Sequence, residues 1–194
     1  MVNLKTYLAH HGIKGQKWGV RRFQNPDGTL TSEGKQRYRA KAFVSGSSKT
    51  QDPSSPYFRE LPDEVKDVLN EYVNKKVSVL VGDAPGIDRQ VQDFLNEVKY
   101  HKVTVFGPGK DVRYLANKDW KVKMYDSKYD PGSPEWLAKK DKAMSRRATE
   151  GLAVILDEGS KATRNNVARL RQKNKPVRVY QLSKNGKQDD RCID

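Results

Sequence analysis

Val77-Ser-Val-Leu-Val-Gly-Asp-Ala-Pro-Gly-Ile-Asp-Arg-Gln-Val-Gln-Asp-Phe-Leu95 carries an apolar, β-branched run into a Gly-Asp-Ala-Pro-Gly turn and then into an amphipathic helix. A strand, a glycine loop and a helix N-terminus in that order suit an anion. The first helical turn leaves backbone N–H groups unpaired and carries the positive end of the helix dipole. A nucleotide phosphate is the natural occupant.

Outward from this unit the chain alternates strand and helix. Upstream, Lys41-Ala-Phe-Val-Ser-Gly-Ser-Ser48 reads as a strand ending in a small-residue turn. Pro62 to Val73 reads as a helix, with Val65, Val68, Leu69, Tyr72 and Val73 on one face and Pro62, Asp63 and Glu64 at its start. Downstream, His101 to Pro108 reads as a strand, Ser133 to Thr149 as a helix, Leu152 to Asp157 as a strand, Asn165 to Lys173 as a basic helix and Val177 to Leu182 as the last strand. Between Gly109 and Gly132 only a short strand at Val122–Tyr125 and a turn at Tyr129–Gly132 stand out. Such alternation predicts an α/β, Rossmann-like three-layer sandwich with a mainly parallel sheet. Ligands bind such sheets beyond the carboxyl ends of the strands, so the turns at Gly46–Ser48, Gly82–Gly86 and Gly159–Thr163 are expected to share one pocket.

Length and composition set the frame. The 194 residues and a hydrophobic fraction of 35% suit one folded domain, expected over 42–183, with a basic arm over 1–41 and a polar tail over 184–194. The one cysteine, Cys192, leaves no intramolecular disulfide and no cysteine-rich metal site, which suits a reducing compartment. No apolar run reaches the roughly 20 residues of a bilayer span. A net charge of +14 favours anionic partners, with charge alone leaving nucleotide, nucleic acid, an acidic protein surface and a membrane headgroup layer open, although no membrane partner is expected.

The arm reads differently from the domain. Tyr7 to Leu30 is glycine-rich, basic and aromatic, without sustained periodicity. Asn25-Pro-Asp-Gly28 predicts a tight turn, and Thr31 to Tyr38 a short basic helix. His10 and His11 lack carboxylate or cysteine partners at ligand spacing, so no metal site is expected. Lys14, Lys17, Arg21 and Arg22 beside Trp18 and Phe23 suit a docking role towards a protein or a nucleic-acid backbone. Arg164, Arg169, Arg171, Lys173 and Lys175 could track the same backbone, although a solvated helix face is the plainer account of them.

Three stretches carry a family likeness. Phe43-Val-Ser-Gly-Ser-Ser48, Gly82-Asp-Ala-Pro-Gly-Ile-Asp88 and Asp157-Glu-Gly-Ser-Lys-Ala-Thr-Arg-Asn-Asn-Val167 resemble the opening strand and Gly-Ser turn, the Gly-Gly-x-x-Gly-x-Asp loop and the Gly-Thr phosphate loop of the SLOG superfamily. Its members include LOG-type nucleotide phosphoribohydrolases, the DNA-processing protein A family and nucleotide-sensing domains of defence effectors. The likeness spans roughly residues 41 to 182. It implies that Gly46, Ser47 and Ser48 approach a nucleotide, and that Gly82, Asp83, Ala84, Pro85, Gly86 and Ile87 close on its phosphate. It further implies that Asp88 orients a ribose or the loop, and that Ser160 and Thr163, with Asn166 nearby, cap the phosphate. In the LOG branch an acid three residues after the Thr serves glycosidic-bond cleavage. Asn166 stands at that position here, and a glycosidic transition state wants a carboxylate, so the likeness implies binding more than hydrolysis.

Three expectations follow, with no cofactor called for. The leading one is a binder of a nucleotide or ADP-ribose-like small molecule that senses or sequesters it. The second is a nucleotide N-glycosidase or deoxyribosyltransferase, for which Asp88, Asp141 and Glu158 are the carboxylate candidates. Capping and helix-terminus electrostatics are the plainer role of Asp88. The third is a nucleic-acid module. His10-His-Gly-Ile-Lys-Gly-Gln-Lys-Trp-Gly-Val-Arg-Arg22 also resembles an N-terminal segment of bacteriophage and prophage proteins. That implies a phage-associated protein, in the host cytoplasm or packaged in a virion, with an anti-defence role and with a phage structural protein as the arm's partner. Pairing through helices is common in the superfamily and implies a homodimer.

Overall fold

The computed structural model describes residues 23–182 other than 28, 38, 56, 59, 127 and 157–159. The expectations for His10, His11, Trp18 and the rest of the arm through Arg22, for Asp157, Glu158 and Gly159, and for Cys192 therefore lie outside the described residues. The chain divides into two units, with the boundary between Arg39 and Ala40.

In the first unit, Gln24 and Leu30 form an antiparallel bridge around the expected turn. Asp27 Oδ1 closes that turn by accepting from the Thr29 N–H at 2.9 Å and the Thr29 hydroxyl at 2.7 Å. Thr31 Oγ1 then accepts from the Gly34 N–H at 3.0 Å and starts helix α1, Ser32–Arg37. A side chain with a ready acceptor two or three residues ahead is what the turn and cap require.

The second unit is a six-stranded, all-parallel sheet with helices on both faces. Its strands are β1 (Lys41–Gly46), β2 (Ser78–Gly82), β3 (Val103–Pro108), β4 (Lys121–Tyr125), β5 (Glu150–Leu156) and β6 (Val177–Leu182), in the order β4-β3-β2-β1-β5-β6. The helices are α2 (Asp63–Asn74), α3 (Ile87–Glu97), α4 (Pro134–Arg147) and α5 (Lys161–Arg171), with a 3₁₀ turn at Ser48–Gln51.

Strand alternation builds the layers. Ala42, Val44, Val79 and Val81 join Val65, Leu69 and Tyr72 of α2 and Ile87, Val91 and Leu95 of α3 in the larger core. Phe43, Leu80 and Phe106 point the other way, onto Met144 of α4 and Leu170 of α5, while Ile155 and Val179 pack on Val167 of α5. Burying one such side chain contributes about 1.5–3 kcal/mol. Both faces must therefore be covered, as the alternating helices provide.

Two boundaries differ from expectation in ways that matter. Helix α5 begins at Lys161, four residues before Asn165, because Lys161-Ala-Thr-Arg164 is itself compatible with a helix. The short stretch near Val122 is a full edge strand in register with β3, and Lys121 and Lys123 sit on it. Lysine on an edge strand discourages pairing with another chain. Among the described residues no helix is long and apolar enough to cross a membrane.

Candidate functional site

The β1 and β2 loops are locked together by glycines. Gly46 lies against Ile87, where a Cβ would come within 2.3 Å of the isoleucine side chain. Gly86, the residue before α3, has φ +83° and packs on the first loop, where a Cβ would stand 2.5 Å from the Ser47 carbonyl oxygen. Ser47 then acts as the hub. Its N–H donates to Val154 O at 3.1 Å, its carbonyl accepts from the Ile87 N–H at 3.1 Å, and its Oγ accepts from the Lys49 N–H at 3.2 Å. Gly86→Ala should therefore cost about 2 kcal/mol, from the left-handed backbone and the close carbonyl together. A shifted urea midpoint with an unchanged slope is the expected result.

The β1 and β2 loops and the start of α5 border one cavity of about 310 Å³ at the carboxyl ends of the strands. Gly46, Ser47, Ser48, Ala84, Pro85, Asp88, Ser160, Thr163 and Asn166, all expected contacts, line it. Asp141, one of the three carboxylate candidates, does so as well. Gly82, Asp83, Gly86 and Ile87 do not. Gly82 lies under Asp88 and Lys140, where a Cβ would fall 2.1 Å from Asp88 Oδ2 and 2.8 Å from Lys140 Nζ. Gly86 and Ile87 hold the two loops together, and Asp83 turns away towards Arg113. Ser160 Oγ is occupied by the end of β5, donating to Leu156 O and accepting from the Leu156 N–H, both at 3.3 Å.

The floor of the cavity is a buried charged network that is only partly visible in the sequence. Lys140 is 6% exposed, and its Nζ donates to Asp141 Oδ1 at 2.9 Å. Asn166 Nδ2 donates to Asp141 Oδ2 at 3.1 Å and to Ser45 Oγ at 2.9 Å, while its Oδ1 accepts from Arg169 at 2.5 Å. Asp88 is not the cap of α3, which is Gly86. It is the second residue of the helix, in its first turn as expected, and accepts from the Ala84 N–H. Burial pushes its carboxyl up to about 6, with Lys140 pulling the other way and Asp141 adding to the rise. Burial works against the Lys140 charge, but Asp141 and Asp88 outweigh it and hold its pKa above the usual lysine value.

A fourth segment, 109–120, reaches the cavity through Arg113. It has no regular structure but is tied to α3. The fully buried Gln92 donates to Gly82 O at 2.8 Å and accepts from the Ala116 N–H at 3.1 Å. Asn117 Nδ2 donates to Asn96 at 3.0 Å, and Trp120 Nε1 to Tyr100 O at 2.9 Å. Gln92→Ala would remove the side-chain partner of the Gly82 carbonyl and of the part-buried Ala116 N–H. It should cost about 2 kcal/mol and speed amide exchange across 109–120 more than in the strands.

Arg113, Lys140, Lys49 and Lys161 are lining residues that were not anticipated. For Lys140 and Asp141 there was a signal. They lie between Leu137 and Met144 at i, i+3, i+4 and i+7, so two charges occupy the stripe a helix normally buries. Arg113 had none, because a loop without periodicity does not show where its residues return.

Residues 1–25 match a family model described as "Family of unknown function (DUF7211)". No curated protein matches the chain.

Proposed function

We propose that the cavity at the carboxyl edge of the sheet binds a nucleotide or a nucleotide-derived small molecule such as an ADP-ribose-like compound, which the protein senses or sequesters. The observation that carries this is the convergence of the β1 and β2 loops, the start of α5 and Arg113 on one cavity. Its lining offers cationic groups in Lys49, Arg113 and Lys161, buried carboxylates that can accept from hydroxyl groups, and an apolar wall in Phe43, Leu137 and Met144. A phosphate, a sugar and a base require those three chemistries. The arm's likeness to phage segments supports a phage setting, in the host cytoplasm or the virion, with a phage structural protein or nucleic acid as the arm's partner.

A thermal-shift panel of AMP, deoxynucleotides, NAD, ADP-ribose and its cyclic forms tests the proposal, each mixture then being analysed by mass spectrometry. A ligand at about 100 times its dissociation constant adds roughly 2.7 kcal/mol if it binds only the folded state. The expected result is a shift with the ligand recovered intact. No shift with any member would overturn it.

One observation favours a second reading, an N-glycosidase or transferase. A carboxyl pushed up to about 6 at the cavity floor can hold a proton near neutral pH and give it to a leaving base. This reading predicts free base in the mixtures and loss of turnover in Asp88→Asn.

A further inference from the structure

We infer that Arg113 reads the charge of the ligand, and that the buried Asp83 presets it for that task. The inference rests on the proposal that the cavity binds nucleotides, and names the residue that would make it prefer the phosphorylated form.

Asp83 is fully buried, and it is bound to Arg113 twice. Its Oδ2 accepts from the Arg113 backbone N–H at 3.0 Å, and its Oδ1 from the guanidinium at 2.6 Å. Backbone and side chain of one loop residue are thus fixed by a single carboxylate at the end of β2. A guanidinium has five N–H groups in a planar fork. Among the described residues Arg113 uses one of them, on Asp83, and its side chain is 37% exposed where it lines the cavity. The remaining donors are oriented without a further loss of rotamer freedom, which suits two-point binding of a phosphate.

The other cations are less suited. Lys140 is committed to Asp141 on the floor, beside Asp88, where carboxylates would repel a phosphate. Lys49 and Lys161 are exposed and carry flexible, strongly hydrated ammonium groups. A ligand would then lie with its anionic group at Arg113 and its hydroxyl groups towards Asp88 and Asp141.

A purely structural role for Arg113, balancing the Asp83 charge, makes a different prediction. Removing the arginine alone would leave a buried carboxylate unpaired, and Arg113→Gln can fail through instability. The double variant Asp83→Asn/Arg113→Gln removes both charges and leaves a polar amide side chain at each position. Calorimetric titration of adenosine and AMP into the wild type, Arg113→Lys and the double variant separates the two roles. We expect wild type to prefer AMP, and the double variant to lose that preference by roughly 10- to 100-fold, the worth of a hydrogen bond to a charged group. Adenosine affinity should be unchanged, and Arg113→Lys intermediate. An undiminished AMP preference in the double variant would overturn the role of Arg113 and leave the nucleotide proposal standing. Saturable binding of neither compound to wild type would overturn the role of Arg113, and silence across the whole nucleotide panel as well would overturn both.

Discussion

Lys140→Met is expected to lower stability by about 3–5 kcal/mol at neutral pH, the loss that follows when one member of a buried charge group is removed. The methionine side chain is of similar length, so little volume is lost. What is lost is the cation between two carboxylates. Lys140 Nζ lies 2.9 Å from Asp141 Oδ1 and shares with Asp88 the space above Gly82. Without it, Asp88 and Asp141 face each other in a nearly dry site, and the folded state takes up a proton to relieve them. The deficit should therefore shrink on acidification. Urea unfolding at pH 5 and pH 8 measures this, and equal deficits at both values would show that Lys140 acts through packing alone.

Asp88→Asn is expected to remove a pH dependence that the wild type carries. The Asp88 carboxyl stands at about 6 in the folded protein against an ordinary 3.8, chiefly because it is buried. The folded state therefore holds this proton more tightly than the unfolded chain does. The stabilisation is complete below about pH 4 and disappears as the pH rises through about 6. A shift of about two units corresponds to about 3 kcal/mol. Wild type should gain stability as the pH falls from 7 towards 5, and Asp88→Asn should be nearly flat over that interval and the more stable protein at pH 7. Glu71 acts in the opposite sense, since hydrogen bonds from Arg178 and Lys75 hold it down to about 2. Its contribution is lost only as the pH falls below the ordinary 4.5, outside the window in which Asp88 titrates. A wild-type profile that matches the variant between pH 5 and 7 would contradict the assigned environment of Asp88.

The α/β class and the parallel sheet were legible because their signals are local and repeated. Val77–Val81, Val103–Phe106 and Leu152–Leu156 are compact β-branched or apolar runs. The helices between them show the spacing of a buried stripe, as at Val65, Val68, Leu69 and Tyr72. The position of the cavity followed from topology, since loops after parallel strands gather at one edge. Which side of each loop faces the cavity was not legible. Gly82, Gly86 and Ile87 are expected ligand contacts that do not line the cavity: Gly86 and Ile87 pack the two loops together through contacts between residues some 40 positions apart, and Gly82 lies under Asp88 and Lys140. Arg113 reaches the site from a segment whose order comes from Asp83, Gln92 and Asn96, side chains on other elements. Lys140, Asp141 and Asn166 were more accessible to reading, because charged and amide groups on a helix's buried stripe need partners there.

The most direct test of the account is an amide chemical-shift titration of the isotope-labelled full chain with the strongest ligand from the nucleotide panel. The account predicts saturable shifts concentrated at Gly46–Lys49, Ala84–Asp88, Arg113 and Lys161–Asn166, with little change along the amino ends of the strands. Saturable shifts confined to other surfaces, or none at all, would contradict the claim that the carboxyl-edge cavity is a nucleotide site.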